Sequence, residues 1–291
     1  MWQGLLRTWL LGQARQQMRS TAAQAAQAAM QQGAEEPPPQ PAESAPPPVC
    51  HVGLVFALGI ETGGLVDRLA GAIRTEGSGF VAREGGLQGR RLVLIESGVG
   101  CPAAARATKA LILGHRPQWI LSAGFSGSLD DRLHQGDIVM ADQIVDTADR
   151  VLDIDLKLDR ESFAATPHLH VGRLLTTDRI IRDPQEKRAL GKRHAALAVD
   201  MESMAVAEVC RNEKIRFLAV RIISDTVDRA LPQDIDNLVK QQSTAGRLGA
   251  AAGALLRRPA SLKDMWQLKE DALVASERLA HFLSGVVGQL R

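Results

Sequence analysis

The sequence contains no tyrosine, and aromatic residues make up only 3% of its 291 positions. Aromatic platforms on which single-stranded nucleic acid stacks must therefore be few. Nor is there an excess of charge of one sign: 35 Lys and Arg against 33 Asp and Glu leave a formal net charge of +2. That is no basic field of the kind nucleic-acid binding needs. Cysteine is scarce, and Cys50, Cys101 and Cys210 stand far apart, odd in number and without C-x-x-C spacing. This argues against a disulfide framework and a zinc site and fits a reducing compartment. The seven histidines show no metal-ligand spacing, and His168 and His170 read as loop residues. No stretch reaches the roughly 18 to 20 uninterrupted apolar residues of a membrane span. What is plentiful is aliphatic: 45% of residues are hydrophobic, enough for a core of Leu, Val, Ile and Ala in one large domain or two small ones.

Four segments follow one another. Residues 1–34 place Trp2, Leu5, Leu6, Trp9 and Leu10 at helical spacing, interleave Arg7, Arg15 and Arg19, and carry no acid before Glu35. That is a basic amphipathic helix, suited equally to a membrane surface and to a protein partner. Arg7 splits the apolar run, so a secretory signal is not expected, although an organellar transit peptide shares the composition. Residues 35–51 hold the run EEPPPQPAESAPPP, whose prolines favour extended polyproline II and make it a linker. Residues 52–258 form the body. Residues 259–291 form a last amphipathic helix, with Met265, Leu268, Ala272, Ala275, Leu279, Phe282 and Val286 on a heptad-like stripe that packs on the body or pairs as a coiled coil.

The body alternates strand-like and helical patterns, the signature of a sheet flanked by helices. Strands are expected at Val52–Leu58, Arg91–Glu96, Trp119–Ala123, Asp137–Ala141, Arg173–Thr176, Ala196–Val199 and Phe217–Ile223. Helices are expected at Leu65–Ile73, Pro102–Leu113, Pro184–Gly191, Glu202–Arg211 and Ile235–Leu256. In open α/β sheets ligands bind beyond the strand C-termini, and four segments converge there. They are Ala57–Gly64 with Glu61; Glu96–Gly100 with Ser97 and Gly98; Ser122–Gly127 with Gly124 and Phe125; and the pair Val199–Ser203 and Arg221–Asp225. Each alone has an ordinary explanation, since a Gly-rich turn is usually only a turn and an acid at a helix start usually a cap. Cys101, at a helix start, has no histidine partner and reads as inert packing.

Together these segments resemble the nucleoside phosphorylase and nucleosidase family, closest to the methylthioadenosine/S-adenosylhomocysteine nucleosidases. The likeness runs from about Val52 to Leu256, and its most specific pieces are VDMES at 199–203 and VRIISD at 220–225. It implies a three-layer αβα sandwich around a twisted mixed sheet, a homodimer, and hydrolysis of the N-glycosidic bond of a purine nucleoside with no cofactor and no metal. Purine departure leaves oxocarbenium-like charge on the ribose, and an acid beside N7 improves the leaving group. Asp225 matches that acid, with Ser224 as its hydrogen-bonded neighbour. Glu61 matches the base that activates water, and Ser97 and Arg221 match residues that hold the water and the base. Glu202 matches the carboxylate that takes the ribose hydroxyls, with Met201 against the sugar. Ile181 matches a residue whose backbone meets the base edge, and Gly98, Gly124 and Phe125 complete the substrate-binding set. Arg221 reads equally as a salt-bridge partner of Glu61 or Glu202.

Two departures bear on the substrate. Ile180 stands where the nucleosidases stack an aromatic on the purine, and Asp146–Gly172 is short and lacks the aromatics that close the 5' pocket. The first removes a stacking contact and speaks against selectivity for methylthioadenosine; the second suggests a larger 5' substituent or a more open pocket, and a lipid-bearing nucleoside, as in hopanoid-associated relatives, is one reading. Phosphorolysis is the alternative reaction, but neither Leu58–Glu61 nor Gly124–Gly127 offers a cation for phosphate. A non-catalytic nucleoside-binding or scaffold protein is the alternative class. The expected location is the cytoplasm, with peripheral membrane contact through residues 2–20.

Overall fold

All five residues of β1 (Val52–Phe56) are buried, as a strand covered by helices on both faces must be. It lies in the middle of a mixed sheet. The computed structural model describes residues 49–77, 79–156, 166–232 and 259–290, with the side chains of the last helix from Glu270 onward. Around β1 follow α1 (Gly59–Val66), β2 (Ala70–Gly77), β3 (Phe80–Leu87), β4 (Arg90–Glu96), α2 (Cys101–His115) and β5 (Trp119–Ser128). Then come β6 (Ile138–Asp146), β7 (Val151–Asp153), β8 (Leu169–Thr176), α3 (Pro184–His194), β9 (Ala198–Asp200), α4 (Ser203–Asn212), β10 (Arg216–Asp225) and α5 (Pro259–Gln289).

The strand order is β10-β6-β8-β9-β5-β1-β4-β3-β2, with β7 on β6 and a further pairing of β10 with β5. That last pairing closes β10, β6, β8, β9 and β5 into a ring, while β1, β4, β3 and β2 extend from it as an open sheet. One core lies between the sheet and α5, where Val52, Leu54 and Phe56 meet Leu279, Leu283 and Val287. The opposite core sets Val55, Val93 and Ile95 against Ala104, Leu111, Val206 and Val209 of α2 and α4. The chain is thus the expected three-layer α/β sandwich.

Several elements differ from expectation. Leu65–Ile73 is not one helix: α1 begins earlier and ends at Val66, and Ala70 opens β2. β2 is an edge strand with most side chains exposed, so it lacks the alternation that marks a strand in sequence, and only its antiparallel pairing with β3 makes it one. β3 and β7 were likewise not expected. His168 and His170 flank Leu169 at the start of β8, and one ring nitrogen of each contacts the buried Asp137 carboxylate, Nδ1 of His168 at 2.9 Å and Nε2 of His170 at 3.1 Å. On α5 the buried stripe is Ala275, Leu279, Leu283, Val287 and Leu290. Phe282 and Val286 are only half-buried, because a straight helix of 3.6 residues per turn drifts off a strict heptad. The helix expected at Ile235–Leu256, the N-terminal amphipathic helix and nearly all of the proline-rich linker lie outside the described residues.

Candidate active site

Glu61 sits in the first turn of α1, and its buried carboxylate accepts three backbone N–H groups. Oε2 takes those of Ala57 (3.0 Å) and Leu58 (2.8 Å), and Oε1 takes that of Phe125 (2.8 Å). The bonds from Ala57 and Leu58 are helix capping, and the bond from Phe125 carries the group across to the turn of β5. Gly124 makes this approach possible, since a Cβ there would lie 2.7 Å from Oε1. Burial pushes the Glu61 carboxyl above the ordinary range, with the three amides and the charge of Arg221 pulling the other way.

Arg221, in the middle of β10, is 2% exposed. Its partner is Asp200, whose Oδ2 accepts from Nε at 2.9 Å and Nη2 at 2.8 Å. Nη2 also donates to the hydroxyls of Ser122 and Ser203, both at 2.8 Å, and Nη1 to the carbonyl of Val220. The expected ion pair with Glu61 or Glu202 is therefore replaced by one with Asp200, because β8 and β9 bring Asp200 under the guanidinium and Thr176 holds its other oxygen at 2.8 Å. Arg221 acts on Glu61 and Glu202 only through space.

Glu202 occupies the N-cap position of α4 but does not cap it. That work falls to Asp200 Oδ1, which accepts from the N–H of Ser203 at 3.3 Å. The Glu202 carboxylate instead accepts the N–H of Gly100, at 2.7 Å, where α2 begins. Burial, then the nearby Asp200 charge, push its carboxyl up to about 7. Glu61, Glu202, Arg221, Ser122, Gly124 and Phe125 surround a cavity of about 10 Å³, close to the room one water needs. Met201, half-buried beside Glu202, accepts the Cys101 thiol on its carbonyl at 3.3 Å. Burial pushes that thiol up to about 11, so Cys101 is no nucleophile near neutral pH.

Asp225 ends β10 opposite Gly127 of β5, after a register shift. Its Oδ1 accepts the Ser224 hydroxyl at 2.7 Å, as expected for the VRIISD motif. Its Oδ2 accepts Lys187 Nζ at 2.5 Å, a partner that the sequence reading did not include.

The structure thus brings Glu61, Gly124, Phe125, Glu202 and Arg221 to one cavity and pairs Asp225 with Ser224. Ser97 does not reach Glu61: its hydroxyl donates to the carbonyls of Phe56 (3.0 Å) and Gly98 (2.7 Å) and so ties the end of β1 to the turn after β4. Gly98 takes the positive φ of +80° that this turn needs. Ile181 is buried in a small cluster with Leu129, Leu175 and Val199, and Ile180 is half-buried. Sequence reasoning passed over Asp200 and Lys187. For Asp200 the signal was present, an acid inside the VDMES motif. Lys187 stands in the charged run PQEKR, which reads as a solvated helix face.

A model of the phosphorylase superfamily matches residues 51–257. Among curated relatives, the 5'-methylthioadenosine/S-adenosylhomocysteine nucleosidases of Shewanella sp. (strain W3-18-1) and Shewanella baltica (strain OS185) are each 26% identical over 215 residues. The matches cover 65% of this chain and 91% and 89% of theirs. Among solved structures, the Helicobacter pylori 5'-methylthioadenosine/S-adenosylhomocysteine nucleosidase with butyl-thio-DADMe-Immucillin-A superposes with a TM-score of 0.64 at 19% identity. It covers 84% of this chain and 100% of its own. The futalosine hydrolase of Helicobacter pylori gives 0.63 at 19% identity, with 83% and 99% covered.

Proposed function

The chain belongs to the phosphorylase superfamily, and on that premise we propose that it is a purine nucleosidase that hydrolyses the N-glycosidic bond of a 5'-modified purine nucleoside. The observation that carries the reading is the buried Glu61 carboxylate, fixed by three amides, beside a cavity of about 10 Å³ sized for one water. Glu61 takes a proton from water as the water attacks the anomeric carbon. Asp225 delivers a proton to N7 as the bond to N9 breaks, and Glu202 accepts hydrogen bonds from the ribose hydroxyls. Arg221, fixed by its pair with Asp200, pulls Glu61 toward its ionised form, while at Glu202 the Asp200 charge outweighs it.

Hydrolysis is favoured over phosphorolysis because the one cation on the cavity wall is already held by Asp200, Ser122, Ser203 and the carbonyl of Val220. Incubation with adenosine, 5'-methylthioadenosine and S-adenosylhomocysteine, with and without phosphate, tests this. Free base and free sugar are expected in both conditions, and phosphate-dependent ribose 1-phosphate would overturn hydrolysis. Asp225→Asn should lower kcat by about 10²- to 10⁴-fold, the usual contribution of a general acid. An unchanged response to nucleoside in that variant would mark a binding protein instead.

Two further features belong to the same proposal. A homodimer is inferred from the resemblance to the nucleosidases. A cytoplasmic body with reversible membrane contact is inferred from the Trp2, Leu5, Leu6, Trp9 and Leu10 face with its three arginines, since one apolar face of that size binds only weakly. No helix among the described residues is long and apolar enough to cross a membrane.

A further inference from the structure

Among the described residues Lys187 is the one buried lysine, 0% exposed on a helix whose other charged residues are half-buried or exposed, apart from His194. It lies within the first turn of α3, after the Asp183 cap and Pro184, where the helix dipole disfavours a cation. Burying an ammonium is strongly unfavourable unless its charge and its donors are matched. Here they are: Nζ reaches Asp225 Oδ2 at 2.5 Å, the carbonyl of Thr226 at 3.0 Å and that of Arg229 at 2.9 Å. Three donors meet three acceptors, one of them charged.

We propose that Lys187 is a positioning residue for Asp225, holding Oδ2 so that Oδ1 is the oxygen that delivers the proton to the departing base. This rests on the reading of Asp225 as the proton donor. Oδ2 is confined on a second side, since a Cβ on Gly127 would lie 3.0 Å from it, while Oδ1 is met by the Ser224 hydroxyl. Asp225 first takes a proton from solvent on Oδ1; as the C1'–N9 bond breaks, its electron pair passes to the purine and that proton passes to N7. The carboxylate left behind is held by the Lys187 ammonium at Oδ2 and the Ser224 hydroxyl at Oδ1. Because the ammonium holds the carboxylate more strongly than the acid, its contact strengthens as the proton leaves, which is stabilisation of the transition state rather than of the bound substrate. The two carbonyls matter too, since they tie the turn after β10 to α3 and keep Asp225 from swinging away.

The test compares wild type, Lys187→Met, Lys187→Gln and Asp225→Asn on adenosine analogues whose leaving bases differ in basicity. Loss of assisted departure makes log kcat depend more steeply on that basicity, whereas a general loosening of the fold lowers every rate by one factor. The expected result is a fall in kcat of about 100-fold for Lys187→Met on adenosine, with KM within about threefold, and the same steepened slope as Asp225→Asn. A parallel line with unchanged slope, or an unchanged kcat, would overturn the proposal. Lys187→Gln keeps a donor for the carbonyls and guards against a folding defect, and it should show the steep slope as well. If neither single variant folds, Lys187→Met with Asp225→Asn removes both charges together, and any loss beyond that of Asp225→Asn alone rejects a role through Asp225. Wild-type protein that releases no base from any purine nucleoside refutes the underlying reading and the proposal with it.

Discussion

Four carboxylates and two cations are buried in and around the site, and the way they pair sets what each can do. Asp200 is matched to Arg221 and Asp225 to Lys187, so Glu61 and Glu202 remain as buried acids without a cation in direct contact. Burial lifts both, and for a base that must exchange protons near neutral pH this is a useful direction. Glu202 has a measurable consequence. Its folded value of about 7 lies above the ordinary 4.5, so the native state keeps a proton that the unfolded chain gives up. Its contribution to stability is greatest below the ordinary value and is lost as the pH rises through about 7. In the role proposed for Glu202 the ribose hydroxyls donate to the ionised form, so nucleoside affinity should rise over the same interval. Titration calorimetry with a nucleoside from pH 5.5 to 8.5, in the slow Asp225→Asn background, should show that rise with Glu202 intact and a flat, weaker profile with Glu202→Gln added. Asp200→Asn should cost about 3 to 5 kcal/mol in urea unfolding, since it leaves the Arg221 charge buried without its partner.

Among the elements, the pairing of α1 with α5 governs how firmly Glu61 is held. Ser276 of α5 accepts the N–H of Gly64 and donates to the carbonyl of Glu61, both at 3.3 Å. Arg68 pairs with Glu277 across the same contact. Gly64 allows the close approach: a Cβ there would lie 3.0 Å from the Glu277 Cα and 3.1 Å from the Ala280 Cβ. The first of these is backbone and cannot turn aside. Gly64→Leu should therefore force α5 outward and destabilise the protein by about 1 to 3 kcal/mol, with kcat falling more than KM rises because the Glu61 carbonyl shifts with its helix. Thermal unfolding and steady-state kinetics on the same preparation check both parts. The motif-bearing part of the chain ends before α5, so its effect on the site arises from packing alone.

At the scale of the whole molecule, the ring of β10, β6, β8, β9 and β5 brings residues far apart in sequence into one cluster. Thr176, Asp200, Ser122 and Arg221 lie on four of its strands or at their ends, and their side chains form one buried hydrogen-bonded set. The closed ring leaves no loose edge there, while the open end of the sheet finishes in the exposed β2. The N-terminal segment carries the one prediction that concerns the chain as a whole. Full-length protein should float with anionic liposomes at low salt, and protein beginning at Val52 should stay in the soluble fraction. Equal recovery of both in the soluble fraction would return residues 2–20 to a protein-docking role.

The layered α/β class, most strands, the convergence of Glu61, Glu202 and Arg221 on one cavity and the contact of Ser224 with Asp225 were legible in the sequence. Buried parallel strands are unbroken apolar runs, and reactive residues cluster in short motifs at strand ends. Partnership was not legible. Arg221 pairs with Asp200 rather than Glu61, Ser97 bonds to backbone rather than to the base, and Lys187 turns inward from a charged helix to meet Asp225. Local sequence specifies which groups are present and on which element. Which charge neutralises which depends on strand register and on the closure of the ring, and these are set by long-range pairings that no short segment encodes. The edge strand β2 is the same case in the backbone: its residues carry no strand pattern, and the neighbouring β3 alone makes them a strand.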